Sequence, residues 1–332
     1  MQKFTVIYTP TLDYNFMQQR PQRIMEQFAR AGHQVYFINM NENNQPPEVV
    51  EPNLTVLHSH EQIFSVEKKY PVVLWMSWAK THDWIEKLNP DIALYDCLDD
   101  FADWREFEKV IVTKVDLITT TAEKLYDKMA LVHNEVVMVK NACEYEHFYN
   151  VNSSTDANDW PKEYNNQIVG YVGALGHWVD SDLLMSLADD FKIVLIGPEF
   201  GMKPIKHQNI VKLGMKDYST LPSYIKKMDV LIIPFLLNDI TTATNPIKMY
   251  EYLATGKPVV TTALPEAKLY GEVYSSNNND EFIKLVKQAM NGNFNANDLI
   301  TNRKTIAVNN SWKNRYNVAY NKICEVFNKK RG

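Results

Sequence analysis

Short apolar runs alternate with helical patterns along almost the whole sequence, and this alternation restricts the fold to a few classes. A helix is predicted over 21–31, because Pro21 suits a first helical turn and Gly32 follows the last one. The first half also predicts a series of strands, at 4–8, 35–39, 54–58, 72–75, 92–95, 117–119 and 136–139. Strands that alternate with helices are typical of α/β domains with parallel sheets.

The alternation restarts after a polar, Asn-rich segment over 150–166, which is the best linker candidate. Strands are then predicted at 168–172, 192–196, 210–213, 230–234 and 258–262, with helices near 180–189, 218–228, 246–255 and 278–291. A chain of 332 residues suffices for two domains of about 150 residues each. We therefore expect an α/β fold with two domains and a cleft between them, at 1–155 and 156–310. A last helix, over 311–332, can pack on either domain, including back on the N-terminal one.

The formal net charge of −5 is unevenly distributed. Residues 1–160 contain 14 Lys and Arg and 24 Asp and Glu, a balance of −10, whereas 161–332 contain 21 and 16, a balance of +5. An acidic first half argues against nucleic-acid binding and against docking on anionic lipid by charge alone. The second half suits an anionic ligand better, although surface drift alone would also produce such an asymmetry.

Cysteine usage and hydropathy indicate the compartment. The three cysteines lie far apart without a CxxC, so neither a zinc site nor a disulfide framework is predicted. The longest apolar runs are five or six residues, far fewer than the roughly 20 that span a bilayer. The N-terminus predicts a strand and not a signal peptide. We expect a cytoplasmic protein.

Glycine placement distinguishes the two halves. Before residue 170 the sequence contains one glycine, Gly32, and no GxGxxG follows the first strand, which argues against a dinucleotide-binding first domain. In the second half, Gly173 and Gly176 predict a turn whose backbone amides could approach an anion, next to His177. A turn that binds nothing is the alternative for this spacing.

The segment 241–260 contains the most informative pattern. Thr244 or Asn245 can cap a helix whose first turn begins with Pro246, and the amides at a helix start form an anion site. Lys248, in the same turn, adds a point charge suited to a diphosphate. Glu251 follows one turn later on the same face and could accept two hydrogen bonds from a ribose diol. The alternative is an exposed Lys248–Glu251 ion pair.

An acidic cluster follows the strand predicted at 92–95. Ligands of open α/β sheets bind beyond the carboxyl ends of the strands, so Asp96, Asp99 and Asp100 are candidates for a catalytic role. A carboxylate can accept the proton of an attacking hydroxyl, and crowding of carboxylates raises at least one pKa. Alternatively, Asp99 or Asp100 caps the following helix. Arg20 also follows a strand end and could meet a charged ligand or lie on the surface.

Asp180 and Asp182 imitate a DxD metal motif. Because they stand at a predicted helix start, Asp180 is better explained as an N-cap. We expect no metal ion.

Several of these motifs together resemble GT-B glycosyltransferases of the large family 4 type, in particular the TuaH-like teichuronic acid glycosyltransferase group. The resemblance covers the whole chain and rests on the motifs at 19–22, 95–101, 170–174, 195–198, 233–235 and 245–260. It implies a GT-B fold of two Rossmann-like domains, with the acceptor on the first and a nucleotide-diphosphate sugar on the second. In that signature a Glu followed by Gly and Pro-Val-Val binds the donor ribose, which points to Glu251.

The resemblance also implies an activity and partners. The expected reaction transfers a sugar, without a metal or other cofactor, to a hydroxyl of a glycan or lipid-linked glycan in cell-envelope or capsular polysaccharide synthesis. A UDP-sugar is the expected donor, nucleic acid is not an expected partner, and the acceptor would bring the protein into peripheral contact with the inner face of the membrane. The expected donor-binding residues are Gly173, His177, Thr244, Asn245, Lys248 and Glu251.

Two departures from the family pattern leave alternatives open. The usual second Glu, eight positions before the ribose-binding one, is replaced by Ala243, and the Arg and Lys pair after the first strand of the second domain is absent. Diphosphate neutralisation then falls on Lys248, the helix amides and His177. The alternatives are a catalytically silent GT-B subunit that binds a partner or glycan, a GT-B-like epimerase and a phosphorylase. Retention and inversion of the anomeric configuration also stay open. In an inverting enzyme a carboxylate of the acidic cluster accepts the proton of the acceptor hydroxyl, whereas in a retaining enzyme it would orient the donor sugar.

Overall fold

The computed structural model describes residues 1–149 and 157–332. The predicted boundary between 155 and 156, and the start of the predicted linker, lie outside the described residues. The chain divides into two compact units. The first unit comprises 1–141, 243–245 and 312–332, and the second comprises 142–242 and 246–311.

The described residues alternate between strands and helices, as the sequence predicts. The strands are β1 (Thr5–Tyr8), β2 (Gln34–Ile38), β3 (Glu48–Glu51), β4 (Leu54–Leu57), β5 (Val72–Met76), β6 (Ile92–Cys97), β7 (Leu117–Thr120), β8 (Val136–Met138), β9 (Ile168–Val172), β10 (Leu175–Gly176), β11 (Lys192–Ile196), β12 (Glu199–Phe200), β13 (Ile210–Lys212), β14 (Val230–Ile233), β15 (Val259–Thr262) and β16 (Val273–Ser276). The helices are α1 (Arg20–Arg30), α2 (Gln62–Ser65), α3 (Trp84–Leu88), α4 (Arg105–Ile111), α5 (Glu123–Ala130), α6 (Tyr145–Tyr149), α7 (Ser181–Ala188), α8 (Leu221–Lys226), α9 (Asp239–Thr242), α10 (Ile247–Thr255), α11 (Asn279–Met290), α12 (Asn297–Asn309) and α13 (Trp312–Arg331).

The sheet of the first unit has the strand order β3-β4-β2-β1-β5-β6-β7-β8. All its pairings are parallel except that of β3 with β4, which is antiparallel. The strand order reverses between β1 and β5, which is where ligands bind in open α/β sheets. Every residue of β6 is buried, as expected for a central parallel strand.

The C-terminal helix α13 belongs to the first unit. Its buried face includes Tyr316, Ala319 and Phe327. The Phe327 ring meets Phe4 edge-on with 5.4 Å between centroids, and the Tyr316 ring lies 4.9 Å from Phe28 of α1. These aromatic contacts join both ends of the first unit's chain in one core.

The sheet of the second unit has the strand order β13-β11-β9-β14-β15-β16, with all pairings parallel. Its order reverses between β9 and β14. Both units are therefore Rossmann-like, each with a switch point at the carboxyl edge of its sheet. Within the described residues, no helix is both long and apolar enough to cross a membrane.

The sequence missed some peripheral elements. The polar edge strand β3 and the helix α12 were not predicted, and neither were the short strands β10, β12 and β16. The predicted strands of both halves form within two residues of the expected bounds. The largest difference is at β6, which continues to Cys97, so Asp96 lies in the strand and not after it as expected.

Candidate functional site

Helix α10 contains the motif predicted to bind a nucleotide. It begins at Ile247 with Pro246 at the N-cap, and it ends at Gly256, whose φ of 78° is left-handed. The expectation that Thr244 or Asn245 would cap this helix is wrong. Both residues belong to the first unit, where their side chains have other partners.

Lys248 lies at the switch point of the second sheet. Its ammonium is 5.0 Å from the ring centroids of both Tyr171, on β9, and Phe235, just after β14. Tyr252 fixes the helix there, because its hydroxyl accepts from the Val172 N–H at 2.7 Å and donates to the Val172 carbonyl at 3.2 Å. A cation is thus held where α/β sheets bind ligands.

Burial lowers the pKa of Lys248 to about 8, and the carboxylate of Glu251 opposes the decrease. Glu251 follows Lys248 by one helical turn and is half-buried. The two side chains therefore lie on one face of α10, as the sequence predicts. The alternative was an exposed Lys248–Glu251 ion pair on the surface. It is not supported, because the Lys248 ammonium lies between two aromatic rings.

Gly173, directly after β9, has a role other than the expected one. The Gly173 N–H donates to the Ile196 carbonyl at 2.8 Å, and the Leu175 N–H donates to Pro198. These amides are occupied, so the expected anion-binding turn is not formed by them. Gly173 instead provides space, because a Cβ there would lie 2.7 Å from Lys248 Nζ.

Within the motif at 195–198, the backbone at Gly197 requires a glycine. Its φ is 145°, and a Cβ would lie 2.0 Å from the Gly173 carbonyl oxygen. Only glycine permits this approach of the two loops that follow β9 and β11. His177, the other candidate in this region, is exposed and packs edge-on against Trp178 at 5.0 Å between centroids.

Arg20 and Asp96 form a buried ion pair in the first unit. The side chains are 2% and 1% exposed, and the guanidinium donates to both carboxylate oxygens, at 2.9 and 2.8 Å. Trp75, Ser77 and Thr119 also donate to the carboxylate.

The remaining guanidinium nitrogen of Arg20 donates to the Val139 carbonyl at 2.7 Å. All three guanidinium nitrogens of Arg20 thus have protein acceptors, and both oxygens of Asp96 accept from protein donors. The structure therefore favours a structural role for this pair over a ligand contact by Arg20 or a catalytic role for Asp96. The motif at 19–22 is structural, since Gln22 also completes a capping box with Gln19.

Asp100 is held in a second cluster. Lys128 donates to Asp100 at 2.7 Å and to the buried Glu108 at 2.6 Å. Glu108 also accepts from the hydroxyl of Tyr95 at 3.0 Å. The alternative role of Asp99 or Asp100 as a helix cap is wrong. The first helical element after them is a 3₁₀ helix, Ala102–Trp104, whose N-cap is Phe101, and the N-cap of α4 is Trp104.

Asp99 differs from its neighbours. It accepts a hydrogen bond of 3.0 Å from the Thr244 hydroxyl, 145 residues later in the chain. Burial raises the pKa of the Asp99 carboxyl to about 7, and the hydrogen bond from Thr244 opposes the increase. Of the three acidic candidates, Asp99 is thus the one whose pKa is raised toward neutral pH.

The residue before Thr244 accounts for one departure from the family pattern. Ala243 is fully buried in the apolar core of the first unit. A glutamate at this position would place a charge among apolar side chains, which is costly without a partner. The missing glutamate is therefore consistent with the way this segment packs.

The DxD-like pair has ordinary structural partners. Asp180 caps α7 by accepting from the Leu183 N–H at 2.9 Å, as predicted. Asp182 pairs with Lys203 at 3.0 Å on the surface. Over 1–149 and 157–332, no three His, Cys, Asp or Glu side chains are grouped as metal ligands.

Comparison with known proteins identifies the class. Residues 167–291 match the family model of glycosyl transferases group 1. The chain has the fold of sucrose-phosphate synthase from Thermosynechococcus elongatus, with a TM-score of 0.80 and 13% identity over 99% of this chain and 100% of that one. It is also similar to Anabaena Alr3699/HepE, solved in complex with UDP and glucose, with a TM-score of 0.69 and 11% identity over 97% and 100% of the two chains. The chain thus has the GT-B fold of glycosyltransferases, as the sequence resemblance implies.

One curated protein is similar to this chain in sequence. Over 177 residues the chain is 25% identical to TuaH of Bacillus subtilis (strain 168), which is named as a teichuronic acid biosynthesis glycosyltransferase. The match covers 49% of this chain and 44% of that protein, so it spans less than half of the relative's length. The predicted resemblance to the TuaH-like group is confirmed, but the sequence match covers about half of the chain and not the whole of it as expected.

The buried ion pair gives a stability prediction. Asp96→Asn leaves a buried guanidinium without its counter-charge and should lower the free energy of unfolding by about 3–5 kcal/mol. Glu106→Gln is the matched control, because the Glu106–Lys109 pair is 80% and 71% exposed and should contribute less than about 1 kcal/mol. Urea unfolding at pH 7 measures both, and equal effects would contradict a structural role for Asp96.

Proposed function

We propose that this protein is a glycosyltransferase that moves a sugar from a nucleotide-diphosphate sugar to a hydroxyl of a glycan or lipid-linked glycan. The observation that carries the proposal is Lys248 at the switch point of the second sheet, with Glu251 one turn later. Both lie within the region matched by the family model. A cation and a carboxylate spaced by one turn suit a diphosphate and a ribose.

The donor binds the second unit in this proposal. Lys248, in the first turn of α10, binds the diphosphate, and the positive end of the helix dipole favours the same anion. Glu251 accepts from the ribose diol, and Gly173 leaves room beside the Lys248 ammonium. His177 is the remaining residue that we propose to contact the donor. A UDP-hexose or a related UDP-sugar is the proposed donor, and no metal ion is proposed.

The acid–base chemistry is assigned to the first unit. Asp99 accepts the proton of the acceptor hydroxyl as the new glycosidic bond forms and the nucleoside diphosphate leaves. Asp100 and Asp96 are less suited to this task, because Lys128 and Arg20 hold their carboxylates. The same unit is the proposed acceptor-binding domain.

The proposed biological setting is based on the similarity to TuaH. A role in cell-envelope or capsular polysaccharide synthesis is consistent with the name of TuaH. We place the protein in the cytoplasm at the inner face of the membrane, with peripheral contact through a lipid-linked acceptor.

Donor binding can be tested with a panel of UDP, GDP, dTDP and CMP and their sugars, by thermal shift and by slow donor hydrolysis. One nucleotide should stabilise the fold, and Glu251→Ala should weaken its binding by about 2–4 kcal/mol, because two charge-assisted hydrogen bonds are lost. Glu199→Ala, an exposed carboxylate of the same unit that pairs with Lys212, is the control. No binding to any nucleotide, or unchanged affinity in a folded Glu251→Ala protein, would reject the proposal.

Lys248 makes the affinity for the diphosphate depend on pH. Its ammonium is protonated below a pKa of about 8, so affinity should be highest below pH 8 and fall as the pH rises above it. Lys248→Met should weaken diphosphate binding, flatten this dependence, and leave nucleoside binding nearly unchanged. Calorimetry with both ligands measures these effects.

Lys257→Met is the matched control for Lys248. Burial also lowers the pKa of Lys257, but its ammonium contacts the Met228 carbonyl at the amino edge of the sheet, before β14. Equal losses for diphosphate and nucleoside in Lys248→Met would show that Lys248 is only structural.

The acidic pair gives a prediction with two readouts. Asp99→Asn should lower turnover by about 10²-fold or more with little change in donor binding, whereas Asp100→Asn should retain most activity. Asp99→Asn should also stabilise the fold at pH 8. The pKa of Asp99 is higher in the folded protein than in the unfolded chain. The free energy of unfolding therefore decreases as the pH rises from about 4 through 7, and an Asn, which does not titrate, removes this decrease.

Steady-state kinetics and urea unfolding at pH 5 and pH 8 check both readouts. A fully active Asp99→Asn protein would remove Asp99 from the mechanism.

A further inference from the structure

The segment Ala243–Asn245 precedes the donor helix in sequence but belongs to the first unit. Ala243 is buried in that unit's core. Asn245 accepts from the backbone and side chain of Asn141, at 3.1 and 2.6 Å. Thr244, between these two anchors, donates its hydroxyl to Asp99 at 3.0 Å. The packing of its neighbours therefore fixes Thr244 beside the carboxylate.

The charged groups around Asp99 are committed to other partners. Asp96 on β6 pairs with Arg20 of α1, and Asp100 pairs with Lys128 of α5. Lys128 also pairs with Glu108 of α4. The hydrogen bond from Thr244 is the interaction that favours the ionised form of Asp99 against burial.

We propose that Thr244 is a positioning residue that orients the Asp99 carboxylate and keeps it ionised for proton transfer. This inference rests on the proposed function of Asp99 as the proton acceptor. In this proposal the segment 243–245 serves two purposes. It leads into α10, the proposed donor-binding helix, and it sets the ionisation state of the Asp99 carboxylate.

The physical argument concerns the carboxylate. A hydroxyl that donates to an ionised carboxylate stabilises it more than the neutral acid. Removal of the hydroxyl should therefore raise the pKa of Asp99 further above about 7, by about one to two units. At pH 7 the ionised fraction, and with it the rate, should fall by about five- to fifty-fold and recover as the pH increases.

The direct test is a titration that does not depend on activity. Carbon-13 NMR of the full chain with labelled aspartate carboxyls, with the Asp99 signal assigned by its loss in Asp99→Asn, gives the titration midpoint. Thr244→Val should raise the midpoint by about one to two pH units, Thr244→Ser should restore it, and Thr244→Ala should repeat the Val result if Val folds poorly.

Thr121→Val is the matched control. The Thr121 hydroxyl donates to the Leu98 carbonyl at 2.8 Å, so this change disturbs the same loop without touching the Asp99 carboxylate. A midpoint that is unchanged in Thr244→Val, or that moves equally in Thr121→Val, would overturn the inference.

The pH dependence of kcat/KM separates this inference from the proposed function. The acidic limb of the kcat/KM profile should move to higher pH in Thr244→Val and return to the wild-type position in Thr244→Ser. In an Asp99→Asn background, changes at Thr244 should leave the profile unchanged. If Asp99→Asn keeps full turnover while the NMR midpoint still responds to Thr244, then the catalytic assignment of Asp99 is wrong and the positioning contact is retained. If Asp99→Asn is inactive and Thr244→Val keeps the wild-type limb, the inference about Thr244 is wrong.

Discussion

The buried ion pair between Arg20 and Asp96 organises the carboxyl edge of the first unit. Burial of two charges is costly, and the cost is offset only where their hydrogen-bonding groups find partners. Here Asp96 accepts from Arg20 and from three further side chains, on or just after β5 and β7. Arg20 in turn contacts the chain that follows β8. The ion pair and its hydrogen bonds thus join the start of α1, the central strands β5, β6 and β7, and the chain that follows β8.

The second organising feature is the short segment before α10. In the family pattern this position has a glutamate, but Ala243 is packed in an apolar core, and its neighbours Thr244 and Asn245 bond to the first unit. A charged side chain would not fit such a core without a partner. The absence of this glutamate is therefore consistent with the way the segment packs in the first unit.

The sequence predicted what depends on local patterns and missed what depends on distant partners. The strands were found because apolar runs recur at strand length, and the cap by Asp180 follows from its place before a helix. Strand β3, with the sequence Glu-Val-Val-Glu, lacks such a run. Helix α12 was missed because only Arg303 and Ala307 are buried on it. The roles of Arg20 and Thr244 could not be predicted, since their partners lie 76 and 145 residues away.

Burial shifts the two candidate groups in opposite directions. It disfavours the charged form of each, so the pKa of the Lys248 ammonium falls to about 8 and that of the Asp99 carboxyl rises to about 7. Below pH 7 the carboxylate is increasingly protonated, and above pH 8 the ammonium is increasingly neutral. Both charged forms coexist best between these values. Because the same cause acts on a cation and an anion, partial burial of both groups confines the state in which both are charged to an interval around neutral pH.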